Sequence, residues 1–167
     1  MWSLASVGLL ILRIVVGLIF VGHGSQKMFG WFGGKGIPGQ AGLMDTLGVR
    51  PARLFALISA AGEFFGGLGV ALGLLTPVAA AGILGSMTVA IVKVHWAKGF
   101  WNTRGGYEFP LILATTSFVI GLVGPGVYSL DYAFQLRLPE PLTYIIVLAA
   151  MTVVVFYVVI RSPKKQT

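Results

Sequence analysis

The sequence predicts an all-α membrane protein, and three observations carry that prediction. Of 167 residues, 56% are hydrophobic and only 10% are charged, whereas a soluble domain carries about a quarter charged residues. Mean hydropathy is +0.90. Five apolar runs reach or approach the length of a spanning helix, about 20 residues at 1.5 Å rise each.

The first run covers about residues 4–27. Its opening, MWSLASVGLLILR, has no basic residue before the apolar stretch, Arg13 interrupts it, and no A-x-A-like site follows. That reads as a first span rather than a signal peptide. The second covers about 52–75 and ends in LLTP at 74–77; the third covers about 78–96. The fourth, about 108–124, is the shortest and closes on GPG at 124–126. The fifth, LTYIIVLAAMTVVVFYVVI at about 142–160, is the least interrupted. Between the first two lies a glycine-rich loop, 28–51, whose GQAGLMDTLG predicts a short interfacial helix with Leu43, Met44 and Leu47 toward lipid. No soluble domain and no internal repeat are legible.

The net charge is +7 and the isoelectric point about 10.1. No basic stripe or reading motif accompanies the charge, so nucleic acid is not the partner it implies. The lipid bilayer is. With five spans, Lys27, Lys35, Arg50, Arg53, Lys93, Lys98, Arg104, Arg161, Lys164 and Lys165 fall on one side, and only Arg137 on the other, near Asp131 and Glu140. Basic residues crowd the cytoplasmic side of membrane proteins. The expected placement is therefore multi-pass, with the N-terminus outside and the C-terminus in the cytoplasm. The chain has no cysteine, which removes disulfides, thiolate nucleophiles and cysteine-ligated metals.

Ionisable residues inside a membrane are costly and are functional candidates by default. Arg13 and Glu63 lie near the middles of antiparallel spans, so the sequence predicts an Arg13–Glu63 pair, since an uncompensated buried charge costs several kcal/mol. That pair would either lock two helices or floor a ligand cavity. Arg13, Gly17, Phe20, Gly24 and Lys27 recur at 4, 3, 4, 3 spacing and form one helix stripe, with His23 on its shoulder. Gly62, Gly66, Gly69 and Gly73 form a stripe in the second span that suits close helix packing. Span three ends in KVHWAKGFW, where Lys93 shares a face with Gly82 and Ser86; span four opens with RGGYEFP. There Glu108 falls in a first turn favoured by the helix dipole, and Pro110 fits a helix start. His23, Lys27, His95, Glu108, Trp31, Trp96, Trp101 and Tyr107 all map to the basic end. An interfacial aromatic belt explains the aromatics equally well, and snorkelling explains Lys27.

GWFGGKG lacks the spacing of a phosphate loop and has no preceding strand. GHGSQ is not a nucleophile elbow, and no triad is legible. His23 and His95 could ligate a haem b iron, or a metal together with Glu108, but the ligand types alone carry that signal.

Four blocks in order, LRIVVGLIFVGHGSQKMFGWFGGKGIPG, GEFFGGLGVALGLLTPVAA, VHWAKGFW and GGYEFPLIL, resemble the DoxX family of small bacterial membrane proteins over about residues 10–130. The family pattern carries over to Arg13, His23, Lys27, Glu63, His95 and Glu108. The resemblance implies a four-helix transmembrane bundle over 1–135 in a bacterial plasma membrane, to which this chain adds, over 136–167, a fifth helix and a basic tail. It also implies membership of a redox system, since some relatives are described as subunits of thiosulfate:quinone oxidoreductase and others as linked to assemblies handling sulfur or oxidative stress. Partners of sulfurtransferase or superoxide-detoxifying type follow from that. The expectation is a subunit with an aromatic-lined quinone pocket at the cytoplasmic end. His23, His95 and Glu108 would be its catalytic residues, and Arg13, Lys27, Glu63, Trp31, Trp96 and Tyr107 would bind ligand. The rival expectation is a non-enzymatic scaffold or small-solute carrier.

Overall fold

The computed structural model describes residues 3–136, 139 and 142–160. Arg137, Glu140 and the basic tail from Arg161 lie outside the described residues. The regular structure of the described residues is all helical, with no strand: α1 Leu4–Met28, α2 Gly36–Thr46, α3 Ala52–Leu72, α4 Thr76–Val89, α5 Glu108–Val123, α6 Leu130–Ala133 and α7 Leu142–Ile160. Among the described residues, three helical stretches, Leu4–Met28, Ala52–Leu72 and Thr76–Lys98, are long and apolar enough to cross a membrane; Glu108–Val123 is apolar but shorter.

The packing is that of a bilayer-embedded bundle. Large apolar side chains face outward, among them Ile11, Leu18, Phe65, Ile112 and Leu122. The buried set includes Arg13, Ser25, Glu63, Thr76, Ser117 and Asp131 beside Phe20, Val70, Ile83 and Ile120. Lipid supplies no hydrogen bonds, so polar groups turn inward.

Ser3 caps α1, its hydroxyl accepting from the Ser6 amide at 3.2 Å. The predicted stripe is the face that α1 buries against α3. A Cβ at Gly17 would stand 2.6 Å from the Ala71 Cβ and the Gly67 carbonyl, and one at Gly24 would overlap the backbone of Phe64. The two backbones therefore touch. The glycine stripe of α3 serves a different neighbour: Gly66 lies against the Ala79 carbonyl and Ile83, and Gly69 against Ala79, both on α4. The helix thus carries two small-residue faces, with Gly67 supplying the one toward α1.

Gly73 ends α3 in the left-handed region, at φ 64°, which a residue without a Cβ adopts freely. The chain turns at once into α4, with proline in its first turn. Past Val89 the helix widens to a π turn over Ala90–His95 and tightens to a 3₁₀ turn over Trp96–Lys98. α7 packs on α4, and the Tyr144 hydroxyl donates to the Phe118 carbonyl at 3.3 Å. α2 forms where an interfacial helix is expected, but Met44 faces inward, 5% exposed, in a cluster with Val49, Ala56 and Val158, and Leu47 packs against it. Leu43 is left on the outer face. α3 and α7 supply apolar surface that competes with lipid for this side of α2.

Candidate functional site

The predicted Arg13–Glu63 pair does not form. The glycine contacts set the register of α1 on α3, and that register levels Arg13 with Gly73 and Glu63 with Lys27. Fourteen residues of α1 separate the two levels, about 21 Å at 1.5 Å each. Helix midpoints are therefore a poor guide to depth; the close-packed small residues decide it.

At the first level, the Glu63 Oε1 accepts from Lys27 Nζ in an ion pair and from the Ser86 hydroxyl at 2.6 Å. Ser59 stands 3.5 Å from Lys27 Nζ and 3.4 Å from the Ser86 Oγ. Three helices thus converge on one carboxylate. Glu63 is fully buried, while the Lys27 side chain is 25% exposed. The Glu63 Oε2 has no hydrogen-bond partner among the described residues. Beside this cluster lies a cavity of about 230 Å³ between α2, α3, α4 and α7. Its walls are Phe55, Ile58, Val89, Val155, Val158 and small residues, and its polar groups are Ser59 and Ser86. An apolar slot with a few convergent polar groups is the usual form of a small-molecule site.

At the second level, the Arg13 guanidinium donates through Nη1 to the Pro125 carbonyl and through Nη2 to the Tyr128 carbonyl. The carboxylate at this level belongs to Asp131, whose amide donates to the Gly73 carbonyl at 2.9 Å. Asp131 in turn accepts from the Leu75 amide at 2.8 Å, the Thr76 amide at 3.0 Å and the Thr76 hydroxyl at 2.8 Å. It thereby caps α4 from a distant part of the chain. This end is a structural latch joining α1, the α3–α4 turn and the segment after α5.

The other predicted residues are spread over the Lys27 end. His95 Nδ1 lies 2.6 Å from the Gly105 carbonyl, and Glu108 Oε2 accepts from the Asn102 amide at 2.9 Å. Tyr107 stacks on Trp96 at 5.1 Å and meets Phe100 edge-on. His95, Glu108, Trp96 and Tyr107 are thus gathered around one loop, and these contacts close residues 96–107 over the start of α5. His23 is exposed, its ring 6.5 Å from that of Phe109, and Trp31 is exposed against Phe29. Among the described residues, no three or more of His, Asp or Glu gather as a metal would require. The sequence singled out Lys27 and Glu63 but missed that Ser59 and Ser86 complete their site. A serine at a small-residue position on each of two spans was the available signal.

Residues 8–96 match the DoxX family. The chain is 33% identical over 127 residues to the "Putative oxidoreductase CatD" of Bacillus subtilis (strain 168), covering 75% of this chain and 85% of that protein. It is 32% identical over 143 residues to the "Uncharacterized membrane protein Rv3486" of Mycobacterium tuberculosis (strain ATCC 25618 / H37Rv), covering 75% and 80%. No solved structure matches. The family match takes in most of α1, all of α3 and nearly all of the Thr76–Lys98 stretch, and so the whole Lys27–Glu63–Ser59–Ser86 cluster; the chain belongs to the DoxX family.

Proposed function

We propose that this protein is the integral membrane component of a redox system, and that it seats a quinone in the cavity beside Glu63. The single observation that carries the reading is the buried Lys27–Glu63 pair, with serine hydroxyls joining it to an apolar slot within the membrane. A quinone has an apolar body and two carbonyl acceptors. Ser59 and Ser86 are donors of the right kind at the polar edge of the cavity. Reducing a quinone to its quinol takes up two electrons and two protons. The protons pass along the hydrogen-bonded series from Lys27 through Glu63 to the Ser86 hydroxyl at the cavity edge, the connection that general acid–base transfer needs. The electrons come from a redox partner; a chain without cysteine has no thiol to supply them. The name of one relative, "Putative oxidoreductase CatD", agrees with this role.

This reading moves the site from the His23–His95–Glu108 group to the Glu63 cluster. The test is a solvent extract of protein purified in mild detergent, assayed for quinone at stoichiometric amount and compared with Ser86→Ala, Glu63→Gln and His23→Ala. Quinone in the native protein and the His23 variant, but lost from the first two, is the expected result. No quinone in any sample would transfer the weight to a scaffold or small-solute carrier.

A further inference from the structure

A second cavity, of about 300 Å³, lies on the other side of Lys27, between the end of α1, the glycine loop and the first turn of α2. Its polar lining is Lys27, Lys35, Gln26 and Gln40, and it has no carboxylate. Two ammonium groups and two amides are a donor-rich set. Glycines let the walls of the cavity close on one another. At Gly34 a side chain would collide with the backbone of Gln26. At Gly39 a Cβ would collide with the stem of Lys35, whose Cγ and Cδ pass 3.2 and 3.3 Å from that point. The Lys35 side chain is therefore laid across the first turn of α2. That turn has no side-chain cap, and Lys35 itself is its N-cap residue. The positive end of the helix adds to the two lysines.

The surroundings indicate where this cavity sits. Phe29, Trp31 and Phe32 beside it are 48%, 56% and 74% exposed, and Leu43 at its rim is 38% exposed. Exposed aromatics next to basic residues mark the depth of lipid headgroups. Basic pockets between helices at that depth take anionic headgroups.

We propose that this vestibule is a binding site for a phosphate group, presented by an anionic phospholipid or free in solution. Lys35 supplies the charge that is free to meet it, and Lys27 shares its protons between the phosphate and Glu63. The proposal is independent of whether a quinone binds in the cavity beyond.

The experiment uses the full chain in uncharged detergent. Thermal stability is followed against inorganic phosphate, with sodium chloride at equal ionic strength as reference, and phosphatidylglycerol and phosphatidylcholine binding are compared by native mass spectrometry. Saturable binding of phosphatidylglycerol over phosphatidylcholine, weakened about ten-fold in Lys35→Gln, is the expected result, as removal of one charge-assisted hydrogen bond requires. Arg53→Gln, which removes an exposed basic side chain outside the cavity, should bind as the native protein does. A phosphate effect alone, lost in Lys35→Gln, would identify the free ion as the ligand; both effects would admit either source. Equal binding in Lys35→Gln, equal loss in Arg53→Gln, or the absence of both preferences, for phosphate over chloride and for the anionic lipid, would overturn the site.

Discussion

Glu63 and Lys27 are unequal partners. Glu63 is sealed among helices, whereas Lys27 reaches the vestibule. Removing Lys27 leaves a buried carboxylate with the Ser86 hydroxyl; removing the Glu63 charge leaves an ammonium that can turn to water. Breaking a buried pair from the wrong side costs about 3–5 kcal/mol. Lys27→Met should therefore destabilise the protein by that order, Glu63→Gln should cost clearly less, and the double variant should recover much of the loss. Unfolding midpoints of the three variants in one detergent decide it: equal costs for the two single variants would show that Lys27 is as sealed as Glu63. The candidacy of both residues was legible in the sequence, because ionisable residues inside apolar runs stand out. Their partnership was not, because a helical period gives the face of a residue and not its depth.

At the scale of elements, the α1–α3 contact is the most constrained. Gly17 and Gly24 face α3 with no room for a side chain, while Gly22, on the same helix, has nothing within 4 Å of a Cβ. Gly17→Ala should lower stability by about 1–3 kcal/mol, the usual cost of overpacking. Gly22→Ala should be neutral or slightly stabilising, since glycine is the poorer helix former. Thermal unfolding of the two variants side by side checks this, and a loss at Gly22 as large as at Gly17 would mean that the helix, not its interface, is what glycine serves. The glycine period announced these interfaces in the sequence. Which neighbour each face meets depends on how α3 and α4 fold back at Gly73, and a linear pattern does not hold that information. Met44 carries the same lesson: its spacing suits a lipid-facing helix, and only the packing of α3 and α7 beside it turns that face inward.

At the scale of the whole molecule, the basic residues gather at the Lys27 end of the bundle, and the positive-inside distribution predicts that this end faces the cytoplasm. The absence of cysteine makes the test direct. Tyr132→Cys, at an exposed position beyond α5, should react with a membrane-impermeant maleimide in intact cells, and Lys98→Cys only after lysis. The reverse labelling would invert the orientation. The bundle itself was readable from apolar runs; its two polar levels were not, since Arg13 finds its acceptors 112 and 115 residues away. That distance has a consequence for how the protein is made. At about 5–20 residues per second, the Arg13 of α1 is synthesised roughly 6–22 s before Pro125 exists. Throughout that interval its arginine must be housed by something else: water in the insertion channel, a lipid phosphate, or a chaperoning helix. The segment that follows α5 is thus the one that releases the first helix from custody, and a chain halted before residue 125 would leave the ribosome with its oldest helix still unsettled.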